Sequence, residues 1–202
     1  MIVLIIGAPA SGKGTQAEMI AKKYNLKHVS TGEIFRNIKD EEIVKHLATG
    51  KLLPDELVTK AVEGEIEGID NYLLDGYPRT LAQAEMYDTI LSKGNKQLDF
   101  VIYLKTGEEA IIKRITNRRV CSECKKNYNL ITNPPPKEGK CDCGGDLTQR
   151  DDDTEETIKN RLRIFREQTE PLLEHYKGKV IVVNGEQSID GVFEDVCKEI
   201  KS

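Results

Sequence analysis

The stretch Gly7-Ala8-Pro9-Ala10-Ser11-Gly12-Lys13-Gly14-Thr15 decides the fold of this chain, and it directly follows an apolar run at residues 2–6. A strand, a glycine-rich loop and a helix opening with a lysine are typical of phosphate binding. Backbone N–H groups and the helix N-terminus attract the anion, and the lysine reaches its terminal phosphates. Position 14 is glycine where the general P-loop pattern has Ser or Thr, and the hydroxyl follows at Thr15. The context favours a P-loop over an ordinary glycine-rich turn, with these candidate phosphate ligands: Gly12, Lys13, Gly14 and Thr15.

Length and charge limit the class of protein. With 202 residues the chain can hold one domain with a full core and small insertions. Its charged fraction is 32% and its net charge is −4, which argues against a general nucleic-acid or anionic-membrane surface. No apolar run approaches the ~20 residues of a membrane span, and no signal-peptide pattern precedes the first strand. We therefore expect a cytoplasmic protein without nucleic-acid or membrane partners.

Short apolar runs rich in β-branched residues recur along the chain. They predict strands at residues 2–6, 72–74, 100–104 and 180–183, with residues 27–29 as a weaker fifth. The runs do not alternate with polar residues, so both faces of each strand are expected to be buried. This is the pattern of a parallel sheet covered by helices, and it predicts the α/β class.

Helix starts are predicted by three capping boxes, Ser30-x-x-Glu33, Thr80-x-x-Gln83 and Thr106-x-x-Glu109. The longest helical pattern covers residues 154–176, and Pro171 is expected to kink or break it just before the proline. Its predicted buried stripe consists of Ile158, Leu162, Phe165, Leu172 and Tyr176.

Two segments do not follow the α/β rhythm. Residues 32–53 are polar and mostly helical in pattern, and residues 120–149 contain clustered cysteines, a Pro134-Pro135-Pro136 run and several glycines. The second is too long for a plain loop. We expect both to be insertions at the carboxyl ends of the strands, where open α/β proteins bind ligands.

The segment Asp75-Gly76-Tyr77-Pro78-Arg79 follows the third predicted strand. An aspartate at a strand end beside a P-loop can organise Mg²⁺, Gly76 permits a close backbone approach, and Arg79 can fork onto a phosphate. Taken alone, the segment is more typical of a turn with a solvent salt bridge. Phosphoryl transfer, however, needs positioning and positive charge, and arginines at element ends could supply both: Arg36, Arg79, Arg114, Arg118, Arg119, Arg150 and Arg161.

Clustered cysteines indicate a metal centre in the second insertion. A C-x2-C pair followed by a C-x-C pair suits tetrahedral Zn²⁺, and a reducing compartment favours metal over disulfide. The C-x-C spacing is tight, so Asp142 or Asp146 is an alternative to one of the last two thiolates. A redox pair or metal-free thiols are the other interpretations. The zinc would be structural, since the insertion has little core of its own. The candidate ligands are Cys121, Cys124, Cys141 and Cys143.

Over essentially its whole length the chain resembles the adenylate kinase family of nucleoside monophosphate kinases. The matching segments, in the family's order, are GAPASGKGT (7–15), STGEIFR (30–36), GKLLPDELV (50–58), LLDGYPRTLAQA (73–84), RITNRRV (114–120), the cysteine-bearing insert and LTQRDDDTEETIKNRL (147–162). The resemblance implies a P-loop kinase core on a five-stranded parallel sheet, a small helical insert that binds the monophosphate, and a mobile lid. It also implies the Mg²⁺-dependent reaction of ATP with AMP to give two ADP.

The resemblance further implies residue roles. Lys13 would follow the transferring phosphate, Asp75 would order Mg²⁺ and its waters, and Arg79 would hold the AMP phosphate. The charge-neutralising arginines would be Arg118, Arg150 and Arg161, with Arg150 delivered when the lid closes. On the ATP side the implied residues are Gly12, Gly14, Thr15, Arg114 at the base and the backbone carbonyl of Gln187. On the AMP side they are Thr31 near the base, Arg36 on the α-phosphate, Lys51, Leu52, Leu53, Gly76, and Gln83 at the adenine edge.

By the same resemblance, the core would comprise residues 1–29, 55–116 and 154–202, the monophosphate insert residues 30–54, and the zinc lid residues 117–153. Three features depart from the family pattern. Ala10 replaces a usual loop glycine, Gly50 comes only 14 positions after Arg36, and the second cysteine pair is C-x-C instead of C-x2-C. A non-glycine residue at a loop position with positive φ would be strained.

Several functions remain to be compared. Thr31 and Gln83 favour AMP as acceptor, and the alternative is a kinase for UMP/CMP or GMP, or an enzyme with broad triphosphate donor use. A zinc-ribbon nucleic-acid-binding protein is disfavoured by the net charge and the scarcity of aromatic residues among the basic ones. A P-loop switch that hydrolyses ATP without an acceptor is a third class. The resemblance implies a monomer, with a homo-oligomer left open.

Overall fold

The structure is a computed structural model that describes residues 1–38, 40, 43, 45, 49–150 and 153–201. Within these residues, five parallel strands form the central sheet in the order β2-β3-β1-β4-β8. Each predicted strand is present and ends one residue later than predicted, so the parallel α/β fold is confirmed. The strands are β1 (Ile2–Gly7), β2 (Lys27–Ser30), β3 (Tyr72–Asp75), β4 (Phe100–Lys105) and β8 (Val180–Asn184).

Helices cover both faces of this sheet. They are α1 (Lys13–Tyr24), α2 (Thr31–Asn37), α3 (Asp55–Ile66), α4 (Leu81–Lys93), α5 (Glu108–Thr116), α6 (Glu155–Ile164), α7 (Leu172–His175) and α8 (Ile189–Lys201). Alternate residues of β1 point to opposite faces. Leu4 therefore packs in a core with side chains of α3 to α7, and Ile5 packs in a smaller core with α1 and α8. The P-loop lysine thus starts a helix that is fixed against a buried strand.

The carboxyl ends of the strands meet at one edge of the sheet, as parallel pairing requires. Ser30 of β2 and Ile5 of β1 both have Asp75 of β3 as their register partner. The P-loop, the start of α2 and the segment after Asp75 are therefore neighbours at this edge. This is where ligands bind in open α/β sheets.

Within the described range 49–150, three short antiparallel strands form a second sheet, in the order β6-β5-β7. These are β5 (Arg118–Cys121), β6 (Asn127–Asn129) and β7 (Leu147–Thr148). Val120 pairs with Asn127 on one side and Thr148 on the other. The sequence predicted a cysteine-bearing insertion here but no sheet, because strands of two to four residues carry too few side chains to show a period.

The predicted helix starts have mixed outcomes. The Thr80 hydroxyl accepts a hydrogen bond from Gln83 N at 3.1 Å, which is one half of a capping box. The Gln83 side chain accepts from Arg79 N and not from the N-cap residue. Ser30 is the N-cap of α2, but its side chain makes no capping hydrogen bond among the described groups. The Thr106 box is wrong, because the N-cap of α5 is Gly107 and the helix begins at Glu108. The Thr106 hydroxyl is instead buried beside the place a Gly185 side chain would take, 2.3 Å from its ideal Cβ.

The long helical pattern forms as α6 and α7 joined through a π-helix at Phe165–Thr169. All five residues of the predicted stripe are buried, with at most 9% of their surface exposed. The α-helix ends before Pro171, because the π-turn widens the helix six residues earlier than the proline. The sequence pattern placed the buried face correctly and missed the π-turn.

The insertion after β2 is described at α2 and from residue 49 onward. Gly50 has φ +72°, and an ideal Cβ there would lie 2.9 Å from Arg161 Cγ and 3.0 Å from Thr157 Cγ2 of α6. Asn160 Nδ2 also donates to the Thr49 carbonyl at 3.1 Å. The insertion therefore packs directly on α6. The predicted helical part at residues 39, 41, 42, 44 and 46–48 lies outside the described residues. Across the described ranges, every helix is too short or too polar to cross a membrane.

Candidate active site and metal centre

Lys13 is held inside the P-loop. Its Nζ donates hydrogen bonds to the carbonyls of Gly7 at 2.7 Å and Ala8 at 2.9 Å. Burial and the nearby Arg79, Arg161 and Arg118 charges lower the pKa of Lys13 to about 8, although Asp75 opposes them. The charged form of Lys13 is disfavoured by these surroundings, so a bound anion would stabilise it.

The backbone of the loop is also set for an anion. Gly12 is the N-cap of α1 with φ 100°, a conformation that favours glycine. The first helical bond runs from Gln16 N to Gly12 O at 3.1 Å. The N–H groups of Lys13, Gly14 and Thr15 precede this bond, so the helix leaves them for another acceptor.

Ala10 has φ +58°, in the left-handed region. The sequence predicts a strained residue here if the loop needs positive φ, and the structure meets that condition. The alanine side chain is partly buried against the larger core. The backbone of the loop is therefore strained at Ala10, because most non-glycine residues avoid this conformation.

Asp75 ends β3 beside the P-loop, with Oδ2 3.7 Å from the ideal Cβ position of Gly14. Burial alone would raise the pKa of Asp75, but His28, Lys13 and Arg79 outweigh it and the pKa lies below its usual value. The carboxylate is therefore ionised at neutral pH. An ionised oxygen ligand at this place fits the hard cation Mg²⁺.

Sequence reasoning missed His28, whose Nε2 lies 3.8 Å from Asp75 Oδ2. Burial lowers the pKa of His28, yet the Asp75 charge and the nearby carboxylates of Glu33 and Glu18 leave it raised. At 3.8 Å the contact is too long for a hydrogen bond, and it is an ion pair when His28 is protonated. His28 pairs with Leu73, two residues before Asp75, and strand alternation places His28, Leu73 and Asp75 on one face of the sheet.

Two hydrogen bonds fix Arg79, and a third fixes the turn after β3 to which it bonds. Its Nε donates to Gly76 O at 2.8 Å, and its own carbonyl accepts from Thr169 Oγ1 at 2.9 Å. Thr31 Oγ1 donates to the same Gly76 carbonyl at 2.8 Å. Burial and Arg161 lower the pKa of Arg79 to about 10, so it stays charged at neutral pH.

The backbone conformation and the close packing at position 76 both require glycine. Its φ is +82°, and an ideal Cβ there would lie 2.7 Å from Thr31 Oγ1 and 2.9 Å from Arg79 Nη2. Any larger residue would displace the two side chains that the turn positions.

A cavity of about 530 Å³ lies between the P-loop, the end of β8 and the second sheet. A smaller one of about 60 Å³ lies on the other side of Lys13, against Leu52, Gly50 and Phe165. Arg79 and Arg161 line both cavities. The predicted residues at the larger cavity are Gly12, Lys13, Gly14, Thr15, Arg36, Asp75, Gly76, Arg79, Arg114, Arg118, Arg150, Arg161 and Gln187.

The arginines at the larger cavity are held by partners that the sequence did not reveal. Arg118 forms a two-pronged ion pair with Asp153, with Nε 2.8 Å from Oδ2, and that carboxylate is fully buried. Arg150 Nη2 donates to Asn127 Oδ1 at 2.5 Å. Arg114 donates to Ser11 O at 3.1 Å and Gly185 O at 2.7 Å, which ties the P-loop to the loop after β8.

Four predicted AMP-side residues do not line either cavity: Thr31, Lys51, Leu53 and Gln83. Thr31 is buried. Lys51 is exposed, and Leu53 is buried in the larger core. Gln83 is 1% exposed. Its Nε2 donates to Asp55 Oδ1 at 2.8 Å and its Oε1 accepts from Arg79 N at 2.8 Å. The amide is therefore fixed in one orientation, because a carboxylate only accepts and a backbone N–H only donates.

The four clustered cysteines come together in the second sheet. Among the described residues their sulfurs all lie within 4.8 Å of one another. Cys121 Sγ is 3.5 Å from Cys143 Sγ, and Cys124 Sγ is 3.4 Å from Cys141 Sγ. These spacings are too long for disulfides, and they fit tetrahedral zinc, whose ~2.3 Å bonds place sulfurs roughly 3.8 Å apart.

The aspartates suggested as alternative ligands are engaged elsewhere. Asp142 pairs with Lys126, and Asp146 Oδ1 lies 2.7 Å from Lys140 Nζ. Gly145 has a specific role, since an ideal Cβ there would lie 2.7 Å from Cys121 Sγ. The donor set of the centre is thus four thiols, and the hydrogen bond with Tyr128 lowers the pKa of Cys141 to about 6.

The fold and this cavity define a P-loop nucleotide kinase. A P-loop lysine, an ionised aspartate at the next strand end and converging arginines surround a space large enough for phosphates. The sequence profile described as adenylate kinase matches residues 5–181. The chain belongs to the adenylate kinase family, and it is a nucleoside monophosphate kinase.

Curated relatives agree over their full length. An adenylate kinase of Clostridium perfringens (strain SM101 / Type A) is 42% identical over 214 aligned positions, which cover 100% of this chain and 99% of the relative. An adenylate kinase of Clostridium botulinum (strain Loch Maree / Type A3) is 46% identical over 208 positions, covering 97% and 96%. The resemblance found in the sequence is thereby confirmed.

Proposed function

We propose that the chain transfers the terminal phosphoryl group of ATP to AMP, reversibly and with Mg²⁺, and yields two ADP. The observation that carries the proposal is the convergence of positive side chains on one space beside the P-loop. Arg79 and Arg161 come from the core and line both cavities, and Arg118 and Arg150 come from the second sheet. Phosphoryl transfer needs this positioning and charge more than it needs covalent chemistry.

On the donor side, the N–H groups at the start of α1 and Lys13 would hold the ATP phosphates. Arg114 would lie against the base, and the Gln187 backbone carbonyl would accept a hydrogen bond from it. Both residues line the larger cavity. Arg118 and Arg150 would neutralise charge as it develops on the transferred group.

Asp75 would hold Mg²⁺ directly or through water, and its depressed pKa supports this role because the carboxylate is already ionised. Mg²⁺ would supply a charge that bridges and neutralises the phosphate oxygens. The chain's own contribution is to keep Asp75 ionised and next to the loop, which His28, Lys13 and Arg79 do electrostatically.

On the acceptor side, AMP would lie between the smaller cavity and the part of the larger cavity beside α2, which Gly32, Glu33 and Arg36 line. Arg36 and Arg79 would bind its phosphate. Its base would lie near Thr31, with Lys51, Leu52 and Leu53 forming the wall. Gln83 would read the adenine edge with the hydrogen-bonding capacity that Asp55 and Arg79 N leave free.

The domain division proposed from the sequence gives each segment a task. Residues 1–29, 55–116 and 154–202 would form the core, residues 30–54 the AMP-binding insert, and residues 117–153 the lid. A structural Zn²⁺ held by Cys121, Cys124, Cys141 and Cys143 would stabilise the lid. A cytoplasmic monomer completes the proposal.

The deciding experiment incubates the protein with a panel of monophosphates and triphosphates and identifies the products by chromatography. AMP should exceed UMP, CMP and GMP in kcat/KM, and ATP with AMP should give only ADP. If CMP, UMP or GMP is the better acceptor by about tenfold, roughly 1.4 kcal/mol in the transition state, AMP is not the substrate. ATP hydrolysis unaffected by any acceptor would indicate a switch protein instead.

A variant pair tests the site itself. Lys13→Ala should abolish phosphoryl transfer with an unchanged circular dichroism spectrum, because its side chain faces the cavity. Lys22→Ala, on the exposed face of the same helix, should remain fully active. Near-normal activity of folded Lys13→Ala would end the P-loop assignment.

A further inference from the structure

Tyr128 lies in the middle of β6, and its side chain is enclosed by the metal centre. Only 4% of the residue is exposed. It packs with Cys121, Cys141 and Leu147 in a small separate cluster. A tyrosine buried beside four sulfurs needs a partner for its hydroxyl group.

The direction of that hydroxyl's hydrogen bond follows from its two neighbours. Tyr128 Oη lies 3.3 Å from Cys141 Sγ, and the backbone N–H of Asp142 donates to the same oxygen at 3.3 Å. Because the oxygen already accepts from a backbone donor, its own hydrogen is available for the sulfur. A thiolate bound to metal has no proton to give, so Tyr128 is the donor and Cys141 is the acceptor.

We propose that Tyr128 is a positioning residue of the metal centre, whose hydroxyl donates to Cys141 Sγ and thereby tightens the binding of zinc. The proposal rests on the structural zinc of the proposed function. Four thiolates around Zn²⁺ carry a net charge of −2, and a hydrogen bond to one sulfur disperses that charge and fixes its orientation. Lys126, which lies 5.2 Å above the Tyr128 ring and pairs with Asp142, adds positive charge on the same side.

The same strand connects the metal centre to the larger cavity. Asn127 and Asn129 flank Tyr128 and project to the opposite face of β6. Asn127 Oδ1 accepts from Arg150, and Asn129 Nδ2 donates to the Arg114 carbonyl at 2.9 Å. By fixing Tyr128, an occupied metal centre therefore also fixes the strand that supports Arg150.

The test removes one oxygen atom. Zinc-loaded wild type, Tyr128→Phe and Tyr24→Phe are titrated with a chromophoric chelator to obtain the zinc dissociation constant. Tyr128→Phe should bind zinc about 10- to 100-fold more weakly, the usual effect of losing such a partner. Tyr24→Phe should match wild type, since Tyr24 packs against the smaller core and not in the cluster of the metal centre.

Cobalt substitution supplies a second readout that packing alone would not move. The thiolate-to-Co²⁺ charge-transfer band should shift in Tyr128→Phe, because the Cys141 sulfur loses its hydrogen bond, and should be unchanged in Tyr24→Phe. An unchanged dissociation constant, within about twofold, together with an unchanged band would overturn the proposal.

The assumption that the four cysteines bind zinc is tested by the wild-type protein in the same titration. If the wild-type chain itself binds no zinc in the titration, the metal centre is absent and the inference falls with it. Kinase activity on ATP and AMP, measured in the same preparation, would show whether the rest of the proposed function stands.

Discussion

Ala10 shows at the scale of one residue how the P-loop stores strain. Its φ of +58° is a conformation that costs an L-residue roughly 1–2 kcal/mol, and glycine adopts it freely. Glycine, in return, loses more entropy on folding. Ala10→Gly should therefore stabilise the protein by a net amount of about 0.5–1 kcal/mol in urea denaturation.

The matched control reverses the change. Gly68 has φ +70° with open space around its missing Cβ, so Gly68→Ala should destabilise the protein by about 1 kcal/mol through backbone strain alone. A lower free energy of unfolding in Ala10→Gly would contradict the presence of backbone strain at Ala10.

The pKa of Lys13 leads to a pH-dependence of binding. In the free protein this pKa is about 8. Bound phosphate places negative charge beside Nζ and raises it, so the complex keeps a proton that the free protein loses. Binding then takes up protons, and the affinity for ATP should fall as the pH rises above about 8.

Calorimetry in buffers of different ionisation enthalpy, from about pH 7 to about pH 9.5, measures this proton uptake directly. Lys13→Gln should bind ATP more weakly and should lack the uptake. Proton release on binding by the wild type, or an uptake that survives in Lys13→Gln, would contradict the assignment.

At the scale of elements, the π-helix Phe165–Thr169 positions Arg79. The extra residue in its turn places Thr169, which is 7% exposed, where its hydroxyl donates to the Arg79 carbonyl. π-turns often occur at functional sites because they redirect a side chain without ending the helix. Arg79 is therefore supported by an element 90 residues away in sequence.

Thr169→Val removes this hydrogen bond and keeps the shape. The free energy of unfolding should fall by about 1–3 kcal/mol, because the buried carbonyl loses its donor. The kcat/KM for AMP should fall as well, since Arg79 is held less well. Thr89→Val removes a hydroxyl that donates to Glu85 O on the exposed side of α4, and it should change neither quantity much. An unchanged kcat/KM for AMP in Thr169→Val would show that the π-helix does not position Arg79 for catalysis.

At the scale of the whole molecule, the second sheet depends on its cysteines more than on a core. Its buried cluster consists of Cys121, Tyr128 and Cys141, with Leu147 packed against it, whereas the central sheet has two extensive cores. Removing zinc should therefore loosen the second sheet while the central sheet stays folded. Arg150, which is carried there, would be misplaced.

After chelator treatment, the protein should therefore lose activity at a temperature well below the melting transition of the α/β core. Elemental analysis of the untreated protein should find about one zinc per chain. Cys121→Ser should lower the stability of the second sheet, and Cys197→Ser, a buried position in α8, should not. Full activity and an unchanged melting curve after metal removal would exclude a structural metal.

The sequence by itself determined the features that depend on neighbours along the chain. The P-loop is contiguous, and the five strands are continuous apolar runs. The expected burial on both faces is wrong for β8, where Val182 is 60% exposed because this strand lies at the edge of the sheet. Two close cysteine pairs predict a metal site. These signals are local, because strand burial, helix periodicity and loop chemistry are set within a few residues. The matches along the whole chain to the adenylate kinase family rest on the same contiguous segments.

Only the tertiary structure decided which side chains meet. Thr106 looked like a helix cap, but packing against the loop after β8 moved the cap to Gly107. The sequence predicted Gln83 in a capping box and gave no sign of Asp55, whose carboxylate accepts from its buried side chain. The partners of Arg118 and Arg150 come from 35 and 23 residues away. Such contacts join residues that no local pattern relates, since they arise when the loops at the strand ends fold over one another.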